Sequence, residues 1–384
     1  MTEDQMTETM TKDLQGITML DFGGVGPVAR GARVLSDLGA RWLQIVPPAS
    51  AGRHEPPWHT YGALRGIEQV ELDLKQPPAR DAALRIAAQV DIVIESFRPG
   101  VAKRLGIDYD AVHTRNERVI YCALTGYGQS GPYARWAGHD LNYQAVAGGL
   151  AAARLDQRGV PALPTLTFAD SAGGGWMAVV RILSALHARA RTGRGQFIDA
   201  SAAEGMLHLN ALAIDEYLAT GSGEGTGGGM VNGGYAGYGN YGCADGRFVS
   251  VGAIEPKFFK VLCETLGLPE LAARQMDPAA QEDIRDRFTQ AFATKSRDTW
   301  MAAFKTVDAC VAPVLSIAEV TADPHWRANG MITEYTHPEH GEVRQLRPFG
   351  PPGTERGAPP KKGQGPVLLK EFGFSEAEIK TLLG

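Results

Sequence analysis

The stretch "GITMLDFGGVGPVARGARVLSDLGARWLQIV", residues 16–46, decides the fold. It opens on a short apolar run, passes through a glycine-rich turn, continues with apolar residues at helical spacing, and closes on a second apolar run. A continuously apolar strand must be buried on both faces, and an intervening helix is what carries the chain back to lay the next strand parallel to the first. The same alternation continues through "QVELDL", "ARDAALRIAAQV", "DIVIES" and "RVIYCAL". The expectation is an α/β fold with a large doubly wound, Rossmann-like domain whose parallel sheet carries helices on both faces. Ligands of such sheets bind beyond the carboxyl ends of the strands, which directs attention to the loops after Asp21, Val46, Glu95 and Leu124.

At 384 residues the chain exceeds the usual size of one domain. Half of the segment "GSGEGTGGGMVNGGYAGYGNYG", residues 221–242, is glycine, too much for the interior of a regular element. It reads as a linker or as a loop that hugs a ligand. Beyond it, "RFVSVGAI" reads as a strand followed by helical segments. This places a smaller α+β domain at 225–325 and assigns 1–224 and 326–384 to the large domain. The chain ends on "SEAEIKTLLG", where Ser375 and Glu378 have capping-box spacing.

The bulk composition excludes several classes. A net charge of −5 leaves no basic excess for nucleic acid. Cys122, Cys243, Cys263 and Cys310 are scattered, without the spacing of a zinc site or the density of a disulfide scaffold, and read as reduced thiols of a cytoplasmic protein. The acidic start "MTEDQMTETMTKDLQG" lacks the pattern of a signal peptide, and no run of about 18 apolar residues occurs, so neither export nor membrane insertion is expected.

Three polar positions could carry chemistry. In "AGHDLNYQA", residues 137–145, His139 precedes a helix with Asp140 in its first turn, so the pair serves either as a cap or as an acid/base group. In "TFADSAGGGW", Asp170 stands at the expected N-cap of a long apolar helix ending near Gly193. The glycine triplet after it lowers helix propensity at about 1 kcal/mol per residue relative to alanine. Close approach of a ligand to the helix N-terminus, which favours negative charge, would account for that cost. In "VSVGAIEPKFF", Glu255 ends a strand and precedes Pro256, so it either interacts with the helix terminus or orients a histidine.

With these segments stand "LDLKQP", "FRPGV", "TGYGQSGP", "RTGRGQFIDA" and "DACVAPVL". Together, and in this order, they resemble the alpha-methylacyl-CoA racemase branch of the class III CoA-transferase (CaiB/BaiF) family, over residues 14–315 and again in the tail "LKEFGFSEAEI". The resemblance implies a racemase that inverts the α-carbon of a 2-methylacyl-CoA through an enolate. His139 and Asp170 would act on opposite faces of that carbon, Glu255 would fix the imidazole, and Asp140 would support the pair. It implies no metal and no prosthetic group, with coenzyme A entering as part of the substrate. Lys75, Arg98, Asp73 and Tyr143 become coenzyme A contacts, and Gly173, Gly174, Tyr235, Tyr238 and Tyr241 candidate acyl-group liners. It further implies an interlocked homodimer, each active site lying between the large domain of one subunit and the small domain of its partner.

The chain departs from the pattern at "IVPP", residues 45–48, and at "RGIEQ", residues 65–69, where relatives often place charged residues that grip the nucleotide. Val46 and Pro47 offer no polar side chain, and Glu68 would repel phosphate. Arg30 and Arg33 in the first crossover helix could compensate by meeting phosphate, the alternative being a solvated helix face; a carrier other than ordinary coenzyme A, such as a protein-bound phosphopantetheine, stays open. The competing readings are a CoA-transferase, with Asp170 as nucleophile through an aspartyl-CoA thioester, and a binding protein without turnover.

Overall fold

The structure is a computed structural model and describes residues 13–24, 26–48, 64–151, 153, 155–221, 228–337, 341–350 and 363–383. The chain divides into two units: residues 1–147, 166–210 and 324–384 form the first, and residues 148–165 and 211–323 the second. Two segments, 148–165 and 211–224, thus join the second unit from within the stretch expected to be large domain.

The first unit is built on a six-stranded sheet, β1 (Thr18–Asp21), β2 (Arg41–Val46), β3 (Ile67–Glu71), β4 (Ile92–Glu95), β5 (Ile120–Thr125) and β6 (Gln196–Ser201). Its order is β3-β2-β1-β4-β5-β6 and every pairing is parallel. The doubly wound expectation is met, and the strand order reverses between β1 and β4, where crevices open beyond the strand ends. Met19, Trp42, Ile92, Ile94, Ile120 and Leu124 point to one face, against α1 (Pro27–Asp37) and the later helix Met177–Thr192. Leu20, Leu43, Val93, Tyr121 and Ala123 point to the other, against α2 (Pro77–Ala87), α3 (Val101–Leu105), α4 (Tyr109–His113) and the helices Gly365–Glu371 and Glu376–Leu383. Burial on both sides explains the unbroken apolar runs, and each fully buried isoleucine or leucine contributes about 1.5–3 kcal/mol.

After β5 come α5 (Asp140–Val146), a π-helix (Ala169–Trp176), α6 (Met177–Thr192) and, after β6, α7 (Ala202–Leu209). The left-handed Gly193 stops α6, φ 72°. Ser375 and Glu378 form the expected reciprocal cap.

The second unit holds α8 (Ala211–Thr220), an antiparallel sheet of β7 (Tyr238–Gly242), β8 (Phe248–Gly252) and β9 (Val311–Pro313), and the helices α9 (Pro256–Leu266), α10 (Gln281–Phe292) and α11 (Arg297–Phe304). β7 corrects the reading of 221–242 as wholly irregular: its last five residues are a strand paired with β8. Tyr241 makes this possible, because its ring stacks on Phe292 within a core that also holds Phe259, Phe288 and Trp300. Residues 222–227 of that segment lie outside the described residues. No described helix is long and apolar enough to cross a membrane.

Candidate active site

The loop between β5 and α5 is fixed by missing side chains. A Cβ on Gly126 would stand 2.4 Å from the Tyr143 ring, and one on Gly138 would stand 2.6 Å from the Tyr127 hydroxyl. Both positions must be glycine for Tyr127 and Tyr143 to meet edge to face at 5.0 Å. The Tyr143 hydroxyl donates to the Gly138 carbonyl at 2.5 Å. His139, the next residue, therefore leaves an anchored backbone: its N–H donates to Asn142 Oδ1 at 3.0 Å, closing the start of α5, and its ring is exposed.

Asp140 ties this corner to the second acid. Its Oδ2 accepts from Gln144 Nε2 at 2.6 Å, and its Oδ1 accepts the backbone N–H of Asp170 at 2.8 Å. Asp170 is not an N-cap. It is the second residue of the π-helix, whose N-cap is Phe168. The widened turn arises where helices crowd: a Cβ on Gly173 would stand 2.8 Å from the Ala202 carbonyl of α7, and one on Gly174 2.8 Å from the Pro27 side chain of α1. From the other side, a Cβ on Gly205 would stand 1.8 Å from the Gly173 carbonyl, and one on Gly31 2.8 Å from that of Gly175. Gly173 and Gly174 are buried, so the triplet serves contact between three helices rather than approach of a ligand.

The helix N-terminus beside Asp170 is that of α1. The N-cap Gly26 has φ 58°, and the Asp170 carboxylate lies 3.3 Å from where a Gly26 side chain would begin. Burial pushes the Asp170 carboxyl above the ordinary aspartate range, the charge of Asp140 pushes it further, and Arg30 and His139 pull it back. Tyr143 is pushed up to about 12, by burial first and then by the charge of Asp170. His139, Asp140, Tyr143, Asp170 and Arg30 thus form one electrostatic neighbourhood. Gly26, Tyr127, Asn142 and Gln144 belong to it but were not singled out from the sequence; the repeated Gly-aromatic pairs were their only signal.

Other expected contacts are distributed differently. Arg98 is exposed in the loop after β4 and acts electrostatically on Tyr143. Arg33 lies 3.9 Å from Asp37, which also holds buried Arg65 through two hydrogen bonds, so Arg33 belongs to a structural ion cluster rather than a free phosphate-binding face. Asp73 accepts the Lys75 backbone N–H at 3.1 Å in the turn before α2, leaving the Lys75 side chain exposed. Asp73 also lines a cavity of about 470 Å³ with Pro48, Gln69, Glu71 and Gln76, beyond the ends of β2 and β3. Glu68 is already neutralised by a two-bond pair with Arg41.

In the second unit, Glu255 is the exposed N-cap of α9, directly before Pro256. Tyr235 is half-buried, while Tyr238 lines a cavity of about 680 Å³ with Asn240, Ser250 and Arg285. Tyr241 also borders this cavity, while its hydroxyl donates to the Ala236 carbonyl inside the core. No group of three His, Cys, Asp or Glu side chains among the described residues could hold a metal.

Residues 14–365, which contain every site position named above, match the model of CoA-transferase family III. The chain belongs to CoA-transferase family III. This family III chain is 35% identical to the human (Homo sapiens) alpha-methylacyl-CoA racemase over 379 residues, 96% of each chain. It is 30% identical to the acetyl-CoA:oxalate CoA-transferase of Acetobacter aceti, over 97% of this chain and all of that one. A solved CAIB/BAIF family protein from Brucella suis shares the fold with a TM-score of 0.79 at 26% identity, covering 94% of this chain and 99% of that one.

Proposed function

We propose that this chain is an isomerase that epimerises the α-carbon of a 2-methylacyl-CoA, or a related acyl thioester, by two-base proton transfer. The observation that carries this reading is the Asp140 bridge, which binds the start of the His139 helix to the backbone of Asp170 and so holds two proton-transfer groups in one small region. The raised affinity of Asp170 for its proton suits a group that must both take and return one. One of the pair removes the α-proton, the thioester oxygen takes the charge as an enolate beside the N-terminus of α1, and the other protonates the opposite face. Coenzyme A is part of the substrate; Arg30, Arg98 and Lys75 are the exposed cations proposed to meet its phosphates, and no prosthetic group takes part. Glu255, contributed by a second copy of the chain, is proposed to orient His139, with Tyr235 and Tyr238 near the acyl group. The 35% identity to a racemase over nearly the whole chain supports the isomerase reading.

The test is incubation of each enantiomer of a 2-methylacyl-CoA in deuterated water. Deuterium entry with loss of optical purity is expected. Removing a general base costs about 10²–10⁴-fold, so His139→Ala and Asp170→Asn both lose epimerisation, each keeping slow exchange from one enantiomer, and from opposite ones. Thioester transfer to a free carboxylate, with no exchange, would overturn the proposal in favour of a transferase that uses Asp170 as nucleophile.

A further inference from the structure

Helix α5 is turned inside out at one position. Its apolar residues Leu141 and Val146 are each 40% exposed, while its buried residue is Gln144, 3% exposed. An amide in the interior costs free energy unless its hydrogen bonds are met, and an apolar side chain of the same length would fill the space without that cost. Gln144 stands four residues after Asp140, so helical spacing puts the two on one face. Its Nε2 donates to Asp140 Oδ2 at 2.6 Å, and the other oxygen, Oδ1, accepts the Asp170 N–H at 2.8 Å. Isolated helices gain little from such a pair, so local helix stability does not account for an amide at this depth.

What sets an amide apart from other strong donors is its charge. Lysine or arginine in the same place would hold Asp140 and cancel its charge, whereas glutamine holds it and cancels nothing. Among the described residues Asp140 has no lysine or arginine partner. Asp170 therefore faces an uncompensated carboxylate: after burial, the charge of Asp140 is what raises its carboxyl, and Arg30 on α1 and His139 act the other way. Tyr143, on the same helix as Gln144, faces both carboxylates. Of the other charged groups on elements packed against the π-helix, Arg33 of α1 lies beside Asp37, and Asp199 of β6 accepts the Gln129 N–H. Glu204 and His208 of α7 and Arg181 of α6 are exposed.

We propose that Gln144 is a positioning residue: its amide fixes the Asp140 carboxylate against the Asp170 backbone while leaving that carboxylate's charge uncancelled. The consequence for turnover rests on the two-base reading; the effect on Asp170 does not, so the two are tested apart. Asp170 is titrated by carbon-13 NMR of the aspartate carboxyls, its resonance assigned as the one missing from Asp170→Asn, in the natural protein, Gln144→Met and Gln144→Glu. Both replacements match glutamine in length, and thermal unfolding checks that each is folded. Methionine cannot donate, so Asp140 loses the donor that favours its charged form and its Oδ2 is free to turn to solvent; Asp170 is expected to titrate at lower pH. In Gln144→Glu the two carboxyls share a proton and the hydrogen bond survives, so Asp170 is expected to titrate no lower than in the natural protein. In the reaction, Gln144→Met lowers kcat for α-proton exchange by about tenfold at unchanged KM and moves the acid limb of the pH–rate profile to lower pH. An Asp170 titration unmoved in Gln144→Met, or lowered equally in both variants, overturns the proposal. A titration lowered in Gln144→Met alone, with no α-proton exchange by the natural protein, upholds the role of Gln144 and overturns the isomerase reading.

Discussion

Asp140 shows how much a single carboxylate can set. One of its oxygens fixes the Asp170 backbone and its charge raises the Asp170 carboxyl, two effects that substitution separates. Asp140→Asn keeps an acceptor for the Asp170 N–H but removes the like charge, so the Asp170 pKa falls and the acid limb of the pH–rate profile for α-proton exchange moves to lower pH. Asp140→Ala loses the acceptor as well and lowers the rate at every pH. Glu95 offers a second titration. Its folded-state pKa of about 7 exceeds the ordinary 4.5, so its contribution to stability is complete below about pH 4.5 and lost as pH rises through about 7. That amounts to about 3 kcal/mol, and urea unfolding at about pH 4.5 and pH 8 is expected to show the loss in the natural protein and its absence in Glu95→Gln. His139, Asp170 and Glu255 were legible as residue types in motif positions. The link through Asp140 was not, because it runs to a backbone N–H thirty residues away and no side-chain pattern encodes it.

At the scale of elements, the parallel sheet was legible because burial on both faces writes itself directly as apolar runs. The glycine triplet misled, since a sequence records a missing side chain without recording what fills the space. Here α1 and α7 fill it, from opposite sides of the π-helix. Gly205→Ala is therefore expected to destabilise the protein by about 3 kcal/mol in thermal or urea unfolding, its methyl group meeting a backbone carbonyl that cannot turn aside. β7 was hidden for the converse reason: glycine alternates there with Tyr238 and Tyr241, and pairing with β8 together with core packing of one ring outweighs poor strand propensity.

For the whole molecule, α8 is the element out of balance. None of its residues is buried, although it carries Leu212 at 88% and Leu218 at 75% exposed. Apolar patches of this kind mark interaction surfaces, and we propose that a second copy covers it. Sedimentation equilibrium is expected to give twice the chain mass, and the double substitution Leu212→Glu and Leu218→Glu to give the chain mass. The backbone contact among α1, the π-helix and α7 also bears on how the molecule can change over generations. Where Gly205 and Gly31 meet the carbonyls of Gly173 and Gly175, there is no side chain to trim or enlarge, so the helix that carries Asp170 is held largely apart from the small volume changes through which selection usually retunes a pocket. Variation is thereby channelled away from the position of Asp170 and into surfaces lined by real side chains.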